Sequence, residues 1–320
     1  MQRIIFFAVL LALGGAAHAQ QNYPNRPLRM IVPWPPGQAT DLVGRVMAQK
    51  MSEVLGQQVV VDNRAGAGGM IGTDVVAKAT PDGYTILAAS SGPVTINPLL
   101  QKAAYDSERE LAPVANVCLS PYLLVTHPQF PPATPREFVA YLKANPGKFS
   151  FASSGTGATG HLVAEWFNGL AGVQVTHVPY KGAVPALTDV ISNRVAYTFE
   201  TVATTLPHVK SGRLKTYGIS LGRTTAIAPG IEPLAVTANV PGFDGAAWIG
   251  LMATAGTPAA IVNRLAAAAE TAMQSPEVRE RLAGVGVEVD YRRPDDFRRY
   301  LKEQTTRYID IIKKGNIKIE

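Results

Sequence analysis

A chain of 320 residues, 47% hydrophobic and 17% charged, is too apolar and too weakly charged to be disordered, and has length for two cores of roughly 150 residues each. A single cysteine, Cys118, excludes an intramolecular disulfide and a Cys-rich metal cluster, and five histidines argue against a dedicated metal enzyme. The formal charge of +6 is spread along the chain, which gives no nucleic-acid footprint but favours small anionic ligands.

Residues 1–19 read MQRIIFFAVLLALGGAAHA. Arg3 supplies a positive start, the apolar run over 4–13 is too short to span a bilayer, and Ala17-His18-Ala19 is a small-x-small cleavage site. This predicts a cleaved signal peptide. No cysteine follows the run, so no lipid anchor is expected, which points to export into a Gram-negative periplasm.

Downstream, short apolar strands alternate with helices. A strand is predicted over 28–33, and a helix over 41–55 from apolar residues at 42, 43, 46, 47, 51, 54 and 55, closed by Gly56. A strand at 58–61, a Gly-rich run at 65–69, a helix over 71–79, a turn at Pro81-Asp82-Gly83 and a strand over 85–89 follow. The pattern then restarts. Thr134, Pro135 and Glu137 combine an N-cap, an N1 proline and a capping-box acid, predicting a helix to 144. Strands at 149–153, 175–179 and 195–199 alternate with helices ending near 170 and 192. The C-terminal part reads as helical, with starts at Thr257-Pro258 and Ser275-Pro276 and a last amphipathic helix over 294–314.

Two runs of strand–loop–helix predict an α/β protein of two similar lobes, each a mainly parallel sheet flanked by helices. The stretches 117–126 and 214–221 are the expected crossings. This assigns 20–120 plus 222–320 to lobe 1 and 121–221 to lobe 2.

Ligands in such sheets sit beyond the strand ends, where helix N-termini offer free N–H groups. Two loops have suitable composition: 35–41 and 153–161, both rich in small and hydroxyl residues. Gly155, Gly157 and Gly160 match a dinucleotide fingerprint, but the following strand leads into Tyr180-Lys181-Gly182 with no ribose-binding acid. Standard hydrolase and metalloprotease motifs are missing from the sequence. Ser154 with His161 could form a nucleophilic pair but lacks an evident orienting acid. His161 reads equally as a ligand contact or a loop brace, and Lys181 as a carboxylate partner or a solvated side chain. Trp34 and Tyr180 are credible walls of a site.

The segments IVPWPPGQATDLVGR (31–45), VVVDNRAGAGGMIGTDVVAKATPDGYTIL (59–87), SSGTGATGHLVAEWF (153–167), HVPYKGAVPALTDV (177–190) and WIGLMATAGTP (248–258) resemble the Bug family, the substrate-binding receptors of tripartite tricarboxylate transporters. The resemblance covers nearly the whole chain after the leader. It implies a type II-like, two-lobed periplasmic binding protein that closes on a small organic carboxylate, without a cofactor or metal. Its partners would be that ligand and the membrane subunits of a tripartite tricarboxylate-type transporter, with no nucleic acid. It would act as a monomer. The alternatives are a periplasmic hydrolase of a small acid and a ligand-presenting sensor.

By motif position the resemblance assigns ligand contacts to Gly37, Gln38 and Asp41, to Ser90 and Ser91, and to Ser154, Gly155, Thr156, Gly157 and His161. It adds Tyr180, Lys181 and Gly182 at the next junction and Glu200 at the following strand end. This chain departs from the family pattern at Gln38, where a second glycine is usual, and at Glu200, where Asp is usual. It departs again at 229–234, which lacks the usual Val-Pro-Thr-Leu. A pocket of different size or polarity is therefore expected.

Overall fold

The computed structural model describes residues 23–315. The expected leader, residues 1–19, lies outside them.

β1 (Leu28–Val32) leads into α1 (Ala39–Leu55), whose Val43, Val46, Met47 and Met51 turn inward at helical spacing. Gly56 closes the helix in the left-handed region, its N–H bonded to the Ser52 carbonyl. β2 (Val59–Asn63), α2 (Met70–Ala77) and β3 (Thr85–Ser90) complete the first run. β1 pairs in parallel with both β2 and β3. The short α3 (Asn97–Leu100) and α4 (Ser107–Glu110) precede β4 (Leu111–Thr126), the longest strand at 16 residues.

The second run starts with α5 (Pro135–Lys143), capped as expected: Thr134 Oγ1 accepts from the Glu137 N–H and Glu137 Oε2 from the Ala133 N–H. β5 (Ser150–Ser153), α6 (Thr159–Ala171), β6 (Thr176–Pro179), α7 (Ala183–Ile191) and β7 (Tyr197–Thr201) follow, with β5 parallel to β6 and β7. Then come α8 (Val202–Lys210), β8 (Lys215–Ile219), α9 (Leu234–Thr237), β9 (Ala246–Thr254), α10 (Ala259–Gln274), α11 (Pro276–Gly284), β10 (Glu288–Arg292) and α12 (Pro294–Gly315).

The outer strands are parallel, as expected, but the centre is not. β4 runs antiparallel to β9, β10, β7 and β8, so the sheet is mixed. The reason is β4 itself: its first part pairs with β9 and its last five residues with β7, so one continuous strand carries the chain from one lobe to the other. The stretch at 214–221 does not cross. It forms β8 against the far end of β4, and the return comes at Gly245–Ala246, held where the Ser220 carbonyl accepts the Gly245 N–H. Residues 222–245 also pack mainly on the second lobe, with Arg223 and Thr225 reaching back to hydrogen-bond Glu288 of β10. Leu234, Ala238, Val240 and Phe243 join the second core, because β8 delivers the chain onto that lobe. The C-terminal part also holds two strands, β9 and β10, beside its helices.

The cores differ in kind. The first is aliphatic, with Met30, Met47, Ile86, Leu265 and Ala269 between sheet and helices. The second is aromatic, with Phe138, Phe151, Phe167, Tyr197, Phe199 and Phe243. α12 lies across both lobes outside these two cores, packing Phe297 on Trp248 and then Tyr308 and Ile311 against Ile96 and Leu162. Among the described residues no helix is long and apolar enough to cross a membrane.

Candidate functional site

Three helix starts converge between the lobes: those of α1, α6 and α8. The first N–H groups of each helix have no carbonyl within the helix to bond, so each start is a ready partner for negative charge. They enclose a small cavity of about 30 Å³, lined by Gln38 and Thr40 from α1 and its N-cap, Ser90, Ser154, Thr159 and Glu200. That is room for about one water molecule. The loops already touch: Ser91 Oγ lies 2.9 Å from Thr159 Oγ1 across the cleft.

The first loop is fixed by Asp41, which is fully buried. Its carboxylate accepts the Gly37 N–H (2.9 Å), the Arg45 Nε–H (3.0 Å) and the Asn63 Nδ2–H (2.8 Å). Burial alone would raise its pKa, but Arg45, Gly37 and Asn63 together hold it below the usual carboxylate range. Asp41 is therefore a brace that shapes the turn at Gly37 and leaves the Gln38 side chain facing the cleft. Gln38 is the N-cap of α1 but its side chain caps nothing, and its buried Nε2 has no hydrogen-bond partner among the described residues. Ser90 Oγ accepts the Trp34 Nε1–H at 2.9 Å, which sets the indole as one wall.

The second loop, 153–157, is braced from below. Gly157 N–H donates to His161 Nδ1 (3.2 Å), and the His161 ring stacks on His177 with centroids 3.8 Å apart. Burial and the neighbouring His161 ring push the His177 pKa down to about 3, so His177 is neutral. Its Nε2 lies 2.6 Å from Ser153 Oγ, a half-buried pair beneath the loop. His161 thus serves Gly157 rather than forming the nucleophilic pair with Ser154 that the sequence left as an alternative. Gly157 has φ +74° and passes so near lobe 1 that an added Cβ would lie 1.5 Å from Asn97 Oδ1.

Glu200 is the third feature. It is 4% exposed, its Oε1 accepts the Thr201 N–H (2.9 Å), and its Oε2 has no partner among the described residues. Burial lifts its pKa to about 7, against the opposite pull of the Thr201 amide and the nearby Ser154 hydroxyl.

Of the residues singled out in the sequence, Trp34, Gln38, Ser90, Ser154 and Glu200 line the cavity. Gly37, Asp41, Ser91, Gly155, Thr156, Gly157 and His161 build the loops around it. Gly182 lies against Gln38, where an added Cβ would come 3.2 Å from Nε2. Tyr180 and Lys181 are not brought in: the Tyr180 hydroxyl donates to Asp189 Oδ2 (2.7 Å) and Lys181 is exposed. Sequence reasoning missed Ser120, Tyr122, Thr159 and Thr201. Ser120 and Tyr122 sit on β4 at the crossing, and that position was the available signal. Ser120 Oγ, too, is buried without a partner among the described residues. A larger surface groove of about 740 Å³, beside Trp166, Leu170 and Arg307, lies away from the strand ends and helix starts.

A two-lobed α/β body with a polar cleft at three helix starts defines a binding protein of the periplasmic type. The chain belongs to the tripartite tricarboxylate transporter receptor family, whose model matches residues 43–317. It is 34% identical to the protein BugT of Bordetella pertussis over 98% of this chain and 97% of that one. Two solved structures from R. palustris share its fold closely. Rpa4515 with adipate has a TM-score of 0.88 at 29% identity, covering 92% of this chain and 99% of that one. MatC with bound malate has a TM-score of 0.85 at 32% identity, covering 91% and 100%.

Proposed function

We propose that this protein is a periplasmic receptor that captures a small organic carboxylate between its lobes and delivers it, chemically unchanged, to a membrane transporter of the tripartite tricarboxylate type. One observation carries the reading. Three buried polar atoms without partners among the described residues, Gln38 Nε2, Ser120 Oγ and Glu200 Oε2, belong to residues lining one cavity at the meeting of three helix starts. Unsatisfied buried polar groups are costly, so a site that collects them is poised for a polar ligand. The malate and adipate held by the two R. palustris proteins support a carboxylate.

The lobes on this reading are 23–120 with the chain from β9 onward, and 121–245. Hinge motion about β4 and the Gly245–Ala246 return admits the ligand, since 30 Å³ holds no organic acid. The leader at 1–19 would direct export, and a monomer leaves both lobes free to meet the transporter. Micromolar affinity, about −8 kcal/mol, suits capture followed by release. The test is a thermal-shift screen against a panel of small carboxylates, with each mixture followed by NMR. A ligand at 100 times its Kd stabilises by about 2.7 kcal/mol. A shift without chemical conversion is expected; conversion of the ligand, or no shift with any acid, overturns the reading.

A further inference from the structure

We propose that this cleft selects a small monocarboxylate whose other end carries an N–H donor, the carboxylate meeting the Gln38 amide and the helix starts, and the donor meeting Glu200 Oε2. The proposal rests on the receptor reading above and specifies its ligand.

The argument is one of complementarity. Gln38 Nε2 is a donor awaiting an acceptor, whereas Glu200 Oε2 awaits a donor. No Lys, Arg or His is among the described residues that line the cavity. A dianionic acid would therefore set its second carboxylate against Glu200 in a desolvated site with no cation to separate them. Like charges at such range disfavour each other strongly, and one of the pair must take up a proton. An ammonium group would instead complete a buried ion pair, and a primary amide would supply the same N–H contact without charge. Ser120 Oγ can donate or accept, so it fits either end. Discrimination built on a repulsive element of this kind rejects the wrong ligand as well as holding the right one. The closeness of Ser91 to Thr159 and of Gly182 to Gln38 further favours a compact molecule.

Glu200 has few titratable neighbours to blur this. Tyr122 on β4 and, beside it, Tyr308 on α12 are both kept protonated by burial. His161 on α6 turns to Gly157 and His177. Burial lifts the Glu200 pKa to about 7, so its charge varies across an accessible range.

Calorimetric titration of the purified mature protein at pH 8 with three acids on one four-carbon frame tests the idea: 4-aminobutanoate, succinamate and succinate. The two N–H bearing acids are expected to bind at least tenfold more tightly than succinate. If the ammonium form is the natural fit, Glu200→Gln weakens 4-aminobutanoate at least tenfold and spares succinamate. If the amide is, succinamate leads in both proteins. In either case Glu200→Gln strengthens succinate. A second measurement needs no variant. In the wild-type protein, lowering the pH from 8 to 6 should raise the affinity for succinate severalfold relative to 4-aminobutanoate, as Glu200 takes up a proton. Succinate binding as tightly as its partners, or a ratio flat with pH, overturns the proposal while leaving the receptor reading intact. Failure of every carboxylate to bind overturns both.

Discussion

Asp41 lies in the first turn of α1 and Glu200 immediately before Thr201, the N-cap of α8. Both acids are buried at a helix start beside the same cleft. Asp41 accepts from Gly37, Arg45 and Asn63, and those partners hold it ionised. Glu200 has one amide on Oε1, the Ser154 hydroxyl nearby and no hydrogen-bond partner on Oε2 among the described residues, and burial lifts its pKa to about 7. The difference separates scaffold from contact. An acid whose lone pairs are filled from its own chain fixes geometry. An acid left with an open oxygen has something still to bind.

The two acids should respond to pH with opposite sign, and this offers the largest effect. With its folded pKa raised from 4.5 to about 7, Glu200 keeps a proton in the folded state that the unfolded chain has released. Its contribution is therefore favourable in acid and is lost as pH rises through that window. The loss is roughly 3 kcal/mol between pH 4.5 and 8. Glu200→Gln removes the dependence, so denaturant titrations should show the variant gaining on wild type by about that amount as pH rises. A constant difference would mean that Glu200 is already paired.

The pKa of Asp41 is lowered, so its stabilisation is present at neutral pH and disappears as pH falls through the folded value. Asp41→Asn should cost about 2 kcal/mol at pH 7, since Arg45 loses its counter-charge and one of the two oxygens accepting from Gly37, Arg45 and Asn63 becomes an NH2 that cannot accept. The cost should shrink in acid, below the ordinary Asp range. Equal cost at pH 3 and pH 7 would contradict the assigned brace. The smallest effect belongs to Lys181→Ala. The side chain is exposed, so ligand affinity should stay within about twofold and stability within about 0.5 kcal/mol. A tenfold loss of affinity would place Lys181 in the site after all.

Local chemistry made much of the fold readable. The Thr134–Glu137 capping box, the Gly56 C-cap and the helical spacing of α1 each rest on contacts within a few residues. β9 escaped notice because AAWIGLMAT is apolar up to its last residue, being buried on both faces, and such a run has no alternation to mark it as a strand. β4 was legible as a crossing, but its antiparallel partners were not, because pairing depends on where the chain returns. The two loops of the site were visible from composition. Which of their side chains would face the cleft was not. Asp41 turned to Arg45 and Asn63, and Tyr180 to Asp189, through contacts set by tertiary packing. Ser120 and Tyr122 carried no motif; only their place at the crossing marks them.

A crystal structure of the protein with the tightest-binding acid from the carboxylate screen tests the central claim most directly. The ligand should lie between the lobes, within hydrogen-bond distance of Gln38 Nε2, Ser120 Oγ and Glu200 Oε2, with its carboxylate toward the starts of α1 and α6. A ligand seated elsewhere, such as the groove beside Trp166 and Arg307, with those three atoms still unpartnered, would contradict it.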